Sequence, residues 1–320
     1  MKCKTNLNRL IAMEQNLSNI VRPMSQVAQE AIDYISKRRD HSISSLKTRW
    51  NKLNKQCMGG IEPNVVFTIA GISGSGKSSV ANLLQCDLID LNPNEDVIVL
   101  TFSLEMVGFR QVGRTLSNKL RKTTSTLYSS ETDLDDETFR KVVYVSNQLK
   151  EYPIYFVDNP GTPMQVEQII RNFYEQHVKG TKKHFIVIYD HALLTKQVGS
   201  VIETISELER VFIQIKKLPF TSVIQIAQMN RNIEAPERIN NPLSHYPMRS
   251  DISSSDAIFQ ASDYVLVIHR PEILNILEYG PNRLPTTNKV YMHMLKNRDA
   301  GKPCILEFEN ALMYNDILEC

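Results

Sequence analysis

Short apolar runs alternate with amphipathic helical patterns along residues 65–268. Six of these runs predict buried strands, at 65–70, 97–102, 154–157, 185–189, 222–227 and 264–268. Helical patterns lie between them, including 166 to about 178 and 201–218, of which the second has a continuous apolar face. Strands separated by helices favour right-handed crossovers. We therefore expect an α/β fold with a mostly parallel central sheet that is flanked by helices on both faces.

The pattern changes towards both ends of the chain. Apolar runs at 290–295 and 304–309, joined by a polar turn, indicate an antiparallel hairpin that completes the sheet. Near the start, apolar residues at helical spacing over 7–21 and 24–35 predict two amphipathic helices separated by Pro23. A polar segment ending in two glycines follows. It predicts a boundary between N-terminal helices with a linker, 1–60, and a main domain, 61–320.

Composition changes this picture little, and the distribution of charge changes it more. The 320 residues are 42% hydrophobic and 22% charged, which is typical of globular proteins and excludes collagen-like, disordered and disulfide-scaffold classes. The net charge is only +2, but residues 1–60 carry 11 basic and 4 acidic side chains. The N-terminal region is therefore a basic appendage on a mildly acidic domain.

The cysteines and the apolar runs both favour a cytoplasmic protein. The five cysteines show no C-x-x-C spacing, which argues against a zinc site or a disulfide framework and favours a reducing compartment. No apolar run approaches the roughly 18 residues of a membrane span. We therefore expect no signal peptide, no anchor and no membrane partner.

A glycine-rich sequence, GISGSGKSS, joins the first predicted strand to a helical pattern. It matches G-x-x-x-x-G-K-[ST], in which backbone N–H groups wrap phosphates and the helix N-terminus favours their charge. Lys77 would reach the outer phosphates and Ser78 would ligate Mg²⁺. The alternative is a strand-to-helix turn that binds nothing. The predicted nucleotide contacts are Gly71, Ser73, Gly74, Ser75, Gly76, Lys77, Ser78 and Ser79.

Two carboxylates and an amide lie where predicted strands end. Asp190 closes the run FIVIY, as a metal-orienting carboxylate would, and Glu105 follows VIVLTFS. Both are expected to face the nucleotide, because ligands bind at the carboxyl ends of parallel strands; the alternative for each is a helix or turn cap. Gln228 follows SVIQIA and would hydrogen-bond a γ-phosphate or a water molecule. His191, next to Asp190, is interpreted as a packing residue.

Lys296 and Arg298 lie at the end of the first strand of the predicted hairpin, just before its polar turn. Their spacing of two residues would project both side chains to one face. They are either solvated surface charge or cations that meet a nucleotide bound to a neighbouring subunit, as an arginine finger does.

The motifs GISGSGKSS, FSLEM, YFVDNPG, IVIYDHALLT, IQIAQMNRNIE and LKNRDAGKP occur in this order. The series, over about residues 24–316, resembles the DnaB-type replicative DNA helicases, a family of hexameric rings with a RecA-like P-loop NTPase core. The resemblance implies a homohexamer that hydrolyses ATP with Mg²⁺ at subunit interfaces and moves along single-stranded DNA. By this resemblance, Lys77 and Ser78 would bind the triphosphate and Mg²⁺, and Asp190 would be the Walker B metal residue. Glu105 would be the catalytic glutamate and Gln228 the γ-phosphate sensor. Lys296 and Arg298 would act in trans, with Arg298 as the arginine finger.

This chain departs from the family at its start. The family's N-terminal domain, which meets primase, has no counterpart long enough here, and residues 24–40 resemble only the linker helix that docks on the adjacent subunit. Ring formation would then depend on this helix and on the ATPase interface, with a primase or loader as a further partner. A small helicase of this kind would suit a phage or mobile element, and would act in the host cytoplasm.

A second departure concerns DNA binding. Where the family has an Arg-Glu-Ser-Gly stretch facing DNA, this chain has serines followed by Asp256. Backbone N–H groups and hydroxyls still bind phosphates, but a missing cation weakens the electrostatic attraction. The candidate DNA contacts are Arg231, Arg249, Ser253, Ser254 and Ser255, with Arg238 as a further flanking cation.

The leading hypothesis is a ring-forming, ATP-dependent DNA helicase or translocase that grips the DNA backbone without reading sequence. One alternative is a RecA-like DNA-binding ATPase, a recombination or loading factor, that does not unwind DNA. Another is an interaction module that keeps the ATPase fold and has weakened DNA binding.

Overall fold

The computed structural model describes residues 21–159, 161–253, 255–299 and 301–320. Contacts divide the chain into two units, one ending at Ser44 and the other spanning Ser45–Cys320. In the first unit, helix α1 (Met24–Arg39) confirms the helix predicted after Pro23. The helix predicted for 7–21 lies outside the described residues.

Most strands of the second unit join one large sheet. The described strands are β1 (Val66–Gly71), β2 (Val97–Ser103), β3 (Ile154–Val157), β4 (His184–Asp190), β5 (Thr221–Gln228), β6 (Tyr264–His269), β7 (Glu278–Tyr279), β8 (Leu284–Pro285), β9 (Lys289–Asn297), β10 (Cys304–Ala311) and β11 (Asp316–Glu319). Nine of these described strands form the sheet, in the order β11-β10-β9-β6-β1-β5-β4-β2-β3, and β7 pairs with β8 separately.

Strands β1 to β6 are parallel, and β9, β10 and β11 are antiparallel. This confirms the mostly parallel sheet and the C-terminal hairpin that the apolar pattern predicted. Strand β11 was not predicted from the sequence, because its four residues do not alternate between apolar and polar and so carry little strand signal.

Helices surround this sheet. The described α-helices of the second unit are α2 (Asn51–Gln56), α3 (Lys77–Asp90), α4 (Gly108–Leu120), α5 (Thr124–Tyr128), α6 (Asp136–Leu149), α7 (Pro163–His177), α8 (Val201–Ile215), α9 (Pro236–Ile239) and α10 (Ser255–Ala261). Capping boxes at Thr162 and Ser200 fix the starts of α7 and α8. α8 ends shortly before Pro219, because the residue that precedes a proline disfavours helical geometry. None of the described helices combines the length and the hydrophobicity of a membrane span.

Alternate side chains of the central strands enter two hydrophobic clusters, one on each face. Phe67 of β1 belongs to the cluster that includes Leu84 of α3, and Val66 belongs to the cluster that includes Phe212 of α8. This alternation is the consequence of the strand's two-residue period. The sheet is therefore covered on both faces, as predicted.

Residues 45–60 are part of the second unit. Trp50 is fully buried, and its Nε1 donates a hydrogen bond to the carbonyl oxygen of Ile317 at 2.8 Å. Arg49 forms an ion pair with Asp87 of α3 at 2.6 Å. The structural division thus precedes this segment, whereas the boundary predicted from the sequence follows it. Its basic, glycine-terminated composition is that of a linker, but several buried side chains, Trp50 among them, fix it in the core.

Buried histidine and tyrosine rings pack where β6 ends. His269 stacks on Tyr279 with ring centroids 5.2 Å apart, and none of the described residues offers its Nε2 a hydrogen-bond partner. Burial, reinforced by the charge of Arg238, lowers the pKa of His269 to about 3. Burial also holds the pKa of His293 well below its usual value, with its Nε2 2.8 Å from the Tyr279 hydroxyl. Both rings are therefore neutral in the folded chain at neutral pH.

Acidification is expected to destabilise the fold through these rings. An unfolded histidine binds a proton near pH 6.5, whereas folded His269 does so only near pH 3, so the unfolded state binds more protons between those values. The free energy of unfolding should be intact above pH 6.5 and fall by about 2 kcal/mol from this residue between pH 6.5 and pH 5. Denaturant unfolding at pH 7.5 and pH 5 should show a smaller loss in His269→Leu than in the wild type. Equal losses would contradict this assignment.

Candidate nucleotide-binding site

The glycine-rich loop, Glu105, Asp190 and Gln228 meet at the carboxyl edge of the parallel strands. Gly71, which ends β1, pairs in register with Gln228, which ends β5. Ser103, which ends β2, pairs with Asp190, which ends β4. Glu105 follows β2 by two residues and reaches the same edge. Two strand registers therefore bring the glycine-rich loop, Glu105, Asp190 and Gln228 to one edge of the sheet, which we call the nucleotide edge.

The glycine-rich loop presents a helix N-terminus. Gly74 and Gly76 have φ values of 75° and 101°, in the left-handed region that glycine adopts without strain. α3 begins at Lys77, and among the described residues no side chain caps its N-terminus. Its first N–H groups are thus available to an anion. The Lys77 amine lies beside them and donates to the carbonyl oxygen of Ile72 at 3.2 Å.

A cavity of about 360 Å³ opens at this loop. Gly71 and Ser75, two of the predicted nucleotide contacts, are buried and support the loop from below: a Cβ on Gly71 would lie 2.8 Å from the carbonyl oxygen of Ile268. The other six line the cavity. Its lining comprises Ser73, Gly74, Gly76, Lys77, Ser78, Ser79, Glu105, Arg114, Arg270, Leu312 and Asn315.

Burial shifts the pKa values of Asp190 and Lys77 in opposite directions. Burial, followed by the charge of Glu105, raises the pKa of Asp190 to about 6, and Lys77 and Arg114 act against this rise. Burial lowers the pKa of Lys77, against the pull of both acids. Asp190 Oδ1 is buried and has no hydrogen-bond partner in the part of the chain that the structure describes. Such an oxygen fits a cation or its water shell, so Asp190 and Ser78 would hold Mg²⁺ together with phosphate oxygens.

Two arginines of the site were not predicted from the sequence. Arg114 of α4 lines the cavity and its charge acts on Asp190. Arg270 follows β6, and its Nη1 donates to the carbonyl oxygen of Gly74 at 3.1 Å. The position of Arg270 at a strand end was a usable signal, whereas Arg114 lies within a helix and carries none.

His191 lies beside a catalytic candidate. Its Nδ1 is 3.4 Å from Oε2 of Glu105. The sequence indicates a packing residue at this position, and the structure adds a contact with the carboxylate that faces the cavity.

Lys296 and Arg298 lie away from the nucleotide loop of their own chain. Asn297 of β9 pairs with Tyr264 at the start of β6, which in turn pairs with Phe67 of β1. Gly71 lies four residues further along β1, or about 13 Å at the rise of a strand. The pair therefore lies at the opposite end of the sheet from its own phosphate loop.

Both cations contact the end of α10. Lys296 Nζ donates to the carbonyl oxygen of Phe259, and Arg298 Nη2 donates to that of Gln260 at 3.3 Å. Arg298 Nη1 lies 3.1 Å from Asp263 Oδ1, with the arginine side chain 47% exposed. The two side chains share one face, as their spacing predicted, and the side chain of Arg298 is about half exposed.

The candidate DNA-contacting arginines differ in their availability. Arg231 is exposed. Arg249 forms an ion pair with Asp256 at 2.6 Å. Arg238 is largely buried and forms an ion pair with Asp251, so its charge is balanced within the chain.

One of the candidate serines, Ser253, lies next to the end of β5. The N–H of Ser253 donates to the carbonyl oxygen of Gln228 at 2.9 Å. Ser254 lies outside the described residues, and Ser255 begins α10. Ser253 is thus hydrogen-bonded to Gln228, the residue predicted to sense the γ-phosphate.

Replacing the buried amine of the loop should separate binding from stability. Lys77→Met removes a charge that burial disfavours and keeps a similar volume, so the thermal midpoint is expected to stay level or rise. Affinity for Mg·ATP should fall about 10- to 100-fold, because the amine's bonds to phosphate are lost. Titration with a fluorescent ATP analogue measures this. Lys119→Met, which breaks a surface ion pair with Asp90, is the control and should bind normally. Unchanged affinity in Lys77→Met would exclude the proposed site.

Comparison with known proteins agrees with this geometry. The family model for the DnaB-like helicase C-terminal domain matches residues 45–313. The replicative DNA helicase DnaB of Pasteurella multocida (strain Pm70) is 25% identical over 252 residues, covering 77% of this chain and 51% of the relative. The replicative DNA helicase DnaB of Mycoplasma genitalium is 30% identical over 234 residues, covering 71% of this chain and 47% of the relative. The chain spans about half the length of the curated relatives it matches.

Solved structures match over most of the chain. One of them, a solved ATPase domain, matches with a TM-score of 0.76 at 19% identity, covering 91% of this chain and 98% of that one. A DnaB-like replicative helicase, described with its interactions with primase, matches with a TM-score of 0.74 at 17% identity, covering 98% and 76%. These likenesses confirm the predicted RecA-like fold. Since the family model covers most of its length, the chain belongs to the DnaB-like helicase C-terminal domain family.

Proposed function

We propose that this chain is an ATP-dependent replicative DNA helicase motor that acts as a homohexameric ring on single-stranded DNA. The observation that carries the proposal is the separation of Arg298 from its own nucleotide loop across the sheet. As an arginine finger, Arg298 would therefore act on a nucleotide bound to a neighbouring copy. Membership of the DnaB-like family supports the same assembly.

Each chain supplies most of one nucleotide site. The phosphates of ATP would lie on the N-terminus of α3 beside Lys77, and Ser78 and Asp190 would hold Mg²⁺, which neutralises phosphate charge when bound. Glu105, half-exposed at the cavity, is suited to orient the attacking water. Arg298 of the adjacent subunit, with Lys296 beside it, would stabilise the charge that develops in the transition state.

Gln228 connects the nucleotide site to Ser253, one of the candidate DNA contacts. Gln228 ends β5 beside Gly71 of the nucleotide loop, and its carbonyl oxygen accepts the N–H of Ser253. If Gln228 shifts when the γ-phosphate is lost, Ser253 would move with it. This contact supports the proposal that hydrolysis drives movement along single-stranded DNA.

Exposed apolar side chains support assembly through the N-terminal helix. Val27, Ile32 and Ile35 are exposed along one stripe of α1. On the second unit, α6 exposes Phe139 and Val143 one helical turn apart. We propose that α1 of one copy docks on the ATPase unit of the next, and that a primase or a loader is a further partner in the cytoplasm of the cell or phage host.

A second candidate function is a RecA-like DNA-binding ATPase, or an interaction module, that does not unwind duplex DNA. It is favoured by the state of the candidate arginines, because Arg238 is paired with Asp251 and Arg249 with Asp256. Arg231 and the serine backbone would then supply the remaining phosphate contacts.

The rate of ATP hydrolysis should depend on protein concentration and on single-stranded DNA. Assembly creates the shared site, so the rate per chain should rise cooperatively with concentration at low salt, and single-stranded DNA should stimulate it further. Strand-displacement assays on a forked duplex then separate the two functions. Hydrolysis without unwinding would favour the RecA-like alternative, and hydrolysis indifferent to DNA would favour the interaction module.

Arg298→Ala is expected to bind Mg·ATP almost normally and to lose about a thousandfold in hydrolysis, the usual contribution of an arginine finger. Arg298→Lys keeps the charge opposite Asp263 and should also be defective, which separates catalysis from folding. Arg298→Ala chains mixed with Lys77→Met chains should regain hydrolysis, since each lacks a different half of a shared site. Failure of the mixture to exceed its separate components would contradict action in trans. Arg283→Ala, at another exposed arginine, is the control.

A further inference from the structure

His191 connects the nucleotide edge to the segment that follows β4. Its φ of 73° and ψ of 74° are left-handed, a conformation uncommon outside glycine in which Asn, Asp and His are enriched. A short 3₁₀ turn follows, and the N–H of Leu194 donates to the carbonyl oxygen of His191 at 2.9 Å. Because Asp190 is fixed in β4 on the other side, the backbone sets the direction of the imidazole.

The turn after His191 is braced from the core. The hydroxyl of Thr195 donates to the carbonyl oxygen of Ala192 at 2.7 Å and accepts from the hydroxyl of Tyr189 at 2.8 Å. Both hydroxyl-bearing residues are buried. A strained backbone residue that is held on both sides in this way is typical of functional positions.

The imidazole faces Glu105. Ser103 and Asp190 pair in register, so the residues that follow β2 and β4 meet at the edge of the sheet. The Nδ1 to Oε2 distance is 3.4 Å, with the histidine side chain 17% exposed and that of the glutamate 51%. The mostly buried ring of His191 is therefore held in one orientation. The half-exposed side chain of Glu105 is longer and has more rotamers available, so it is the one whose orientation must be restricted.

We propose that His191 is a positioning residue for hydrolysis, which holds one carboxylate oxygen of Glu105 so that the other can face the attacking water. The inference rests on the proposed ATPase function. A distance of 3.4 Å is long for a hydrogen bond, and catalytic contacts in ligand-free sites are commonly long and tighten around substrate. In this role Nδ1 would donate to one oxygen of Glu105, and the other oxygen would accept the proton of water.

This role affects one kinetic constant more than the other. Glu105 acts on water in the transition state and contributes little to holding ATP, so loss of its positioning partner lowers kcat and leaves KM nearly unchanged. A ring that only filled space would alter folding or nucleotide affinity instead.

Two substitutions separate the donor from the backbone strain. His191→Gly removes the ring and relieves the left-handed strain. His191→Asn is also tolerated in that conformation and carries an amide N–H close to the position of Nδ1. His184→Asn is the matched control, since His184 starts the same strand, is buried, and lies 3.1 Å from Glu95 by its Nε2.

Steady-state hydrolysis by the full chain with single-stranded DNA, together with titration of a fluorescent ATP analogue, tests the inference. We expect His191→Gly to lose about 10- to 100-fold in kcat, with KM and analogue affinity within about twofold of wild type. His191→Asn should recover to within about threefold of the wild-type kcat, and His184→Asn should match the wild type.

The contrary outcomes are distinct. Wild-type kcat in His191→Gly, equal losses in His191→Gly and His191→Asn, or a change confined to KM would overturn the positioning role while the proposed function stands. A wild-type chain that binds ATP and hydrolyses none, with or without DNA, would overturn the proposed function and this inference with it.

Discussion

The register of two parallel strand pairs is the constraint on which the nucleotide edge depends. β1 lies beside β5 and β2 beside β4, so that Gly71, Gln228 and Asp190 all end strands at one edge. A slip of one residue in β4 would turn Asp190 away and present Tyr189 in its place, because successive side chains point to opposite faces. The apolar side chains of both clusters hold this register, since a slip would move each of them to the opposite face and disrupt the packing of both clusters.

Burial prepares the site for a charged ligand. It lowers the pKa of Lys77 and raises that of Asp190, so each charge is disfavoured by the same low-dielectric surroundings. Phosphate oxygens beside the amine and a cation beside the carboxylate would relieve both costs at once. The loop, which places backbone N–H groups at the start of α3, provides the geometry for the same ligand.

Much of the fold and part of the site could be predicted from sequence. Apolar runs located β1 to β6 within a residue or two, because strands buried on both faces are almost wholly apolar. The strand ends then located Asp190, Glu105 and Gln228. Two kinds of feature could not be predicted in this way. Segment 45–60 has the composition of a linker, and only its packing against β11 reveals it as core.

The partners of individual polar side chains are the second kind of feature. Arg238 has the sequence context of a candidate cation for DNA, but a chain reversal brings Asp251 to it. His191 has the context of a packing residue, but the register of β2 with β4 brings it to Glu105. Both outcomes depend on tertiary contacts, and the neighbouring residues in the sequence give no sign of them.

The hydrogen bond between Trp50 and Ile317 has a consequence for how the protein is made. It closes a separation of 267 residues, so the hydrogen-bond acceptor of Trp50 is absent until β11 has been synthesised. Until then, an aromatic side chain destined for the core stays accessible to solvent and to chaperones. Packing of residues 45–60 into the core is therefore a late step of synthesis, because it depends on β11.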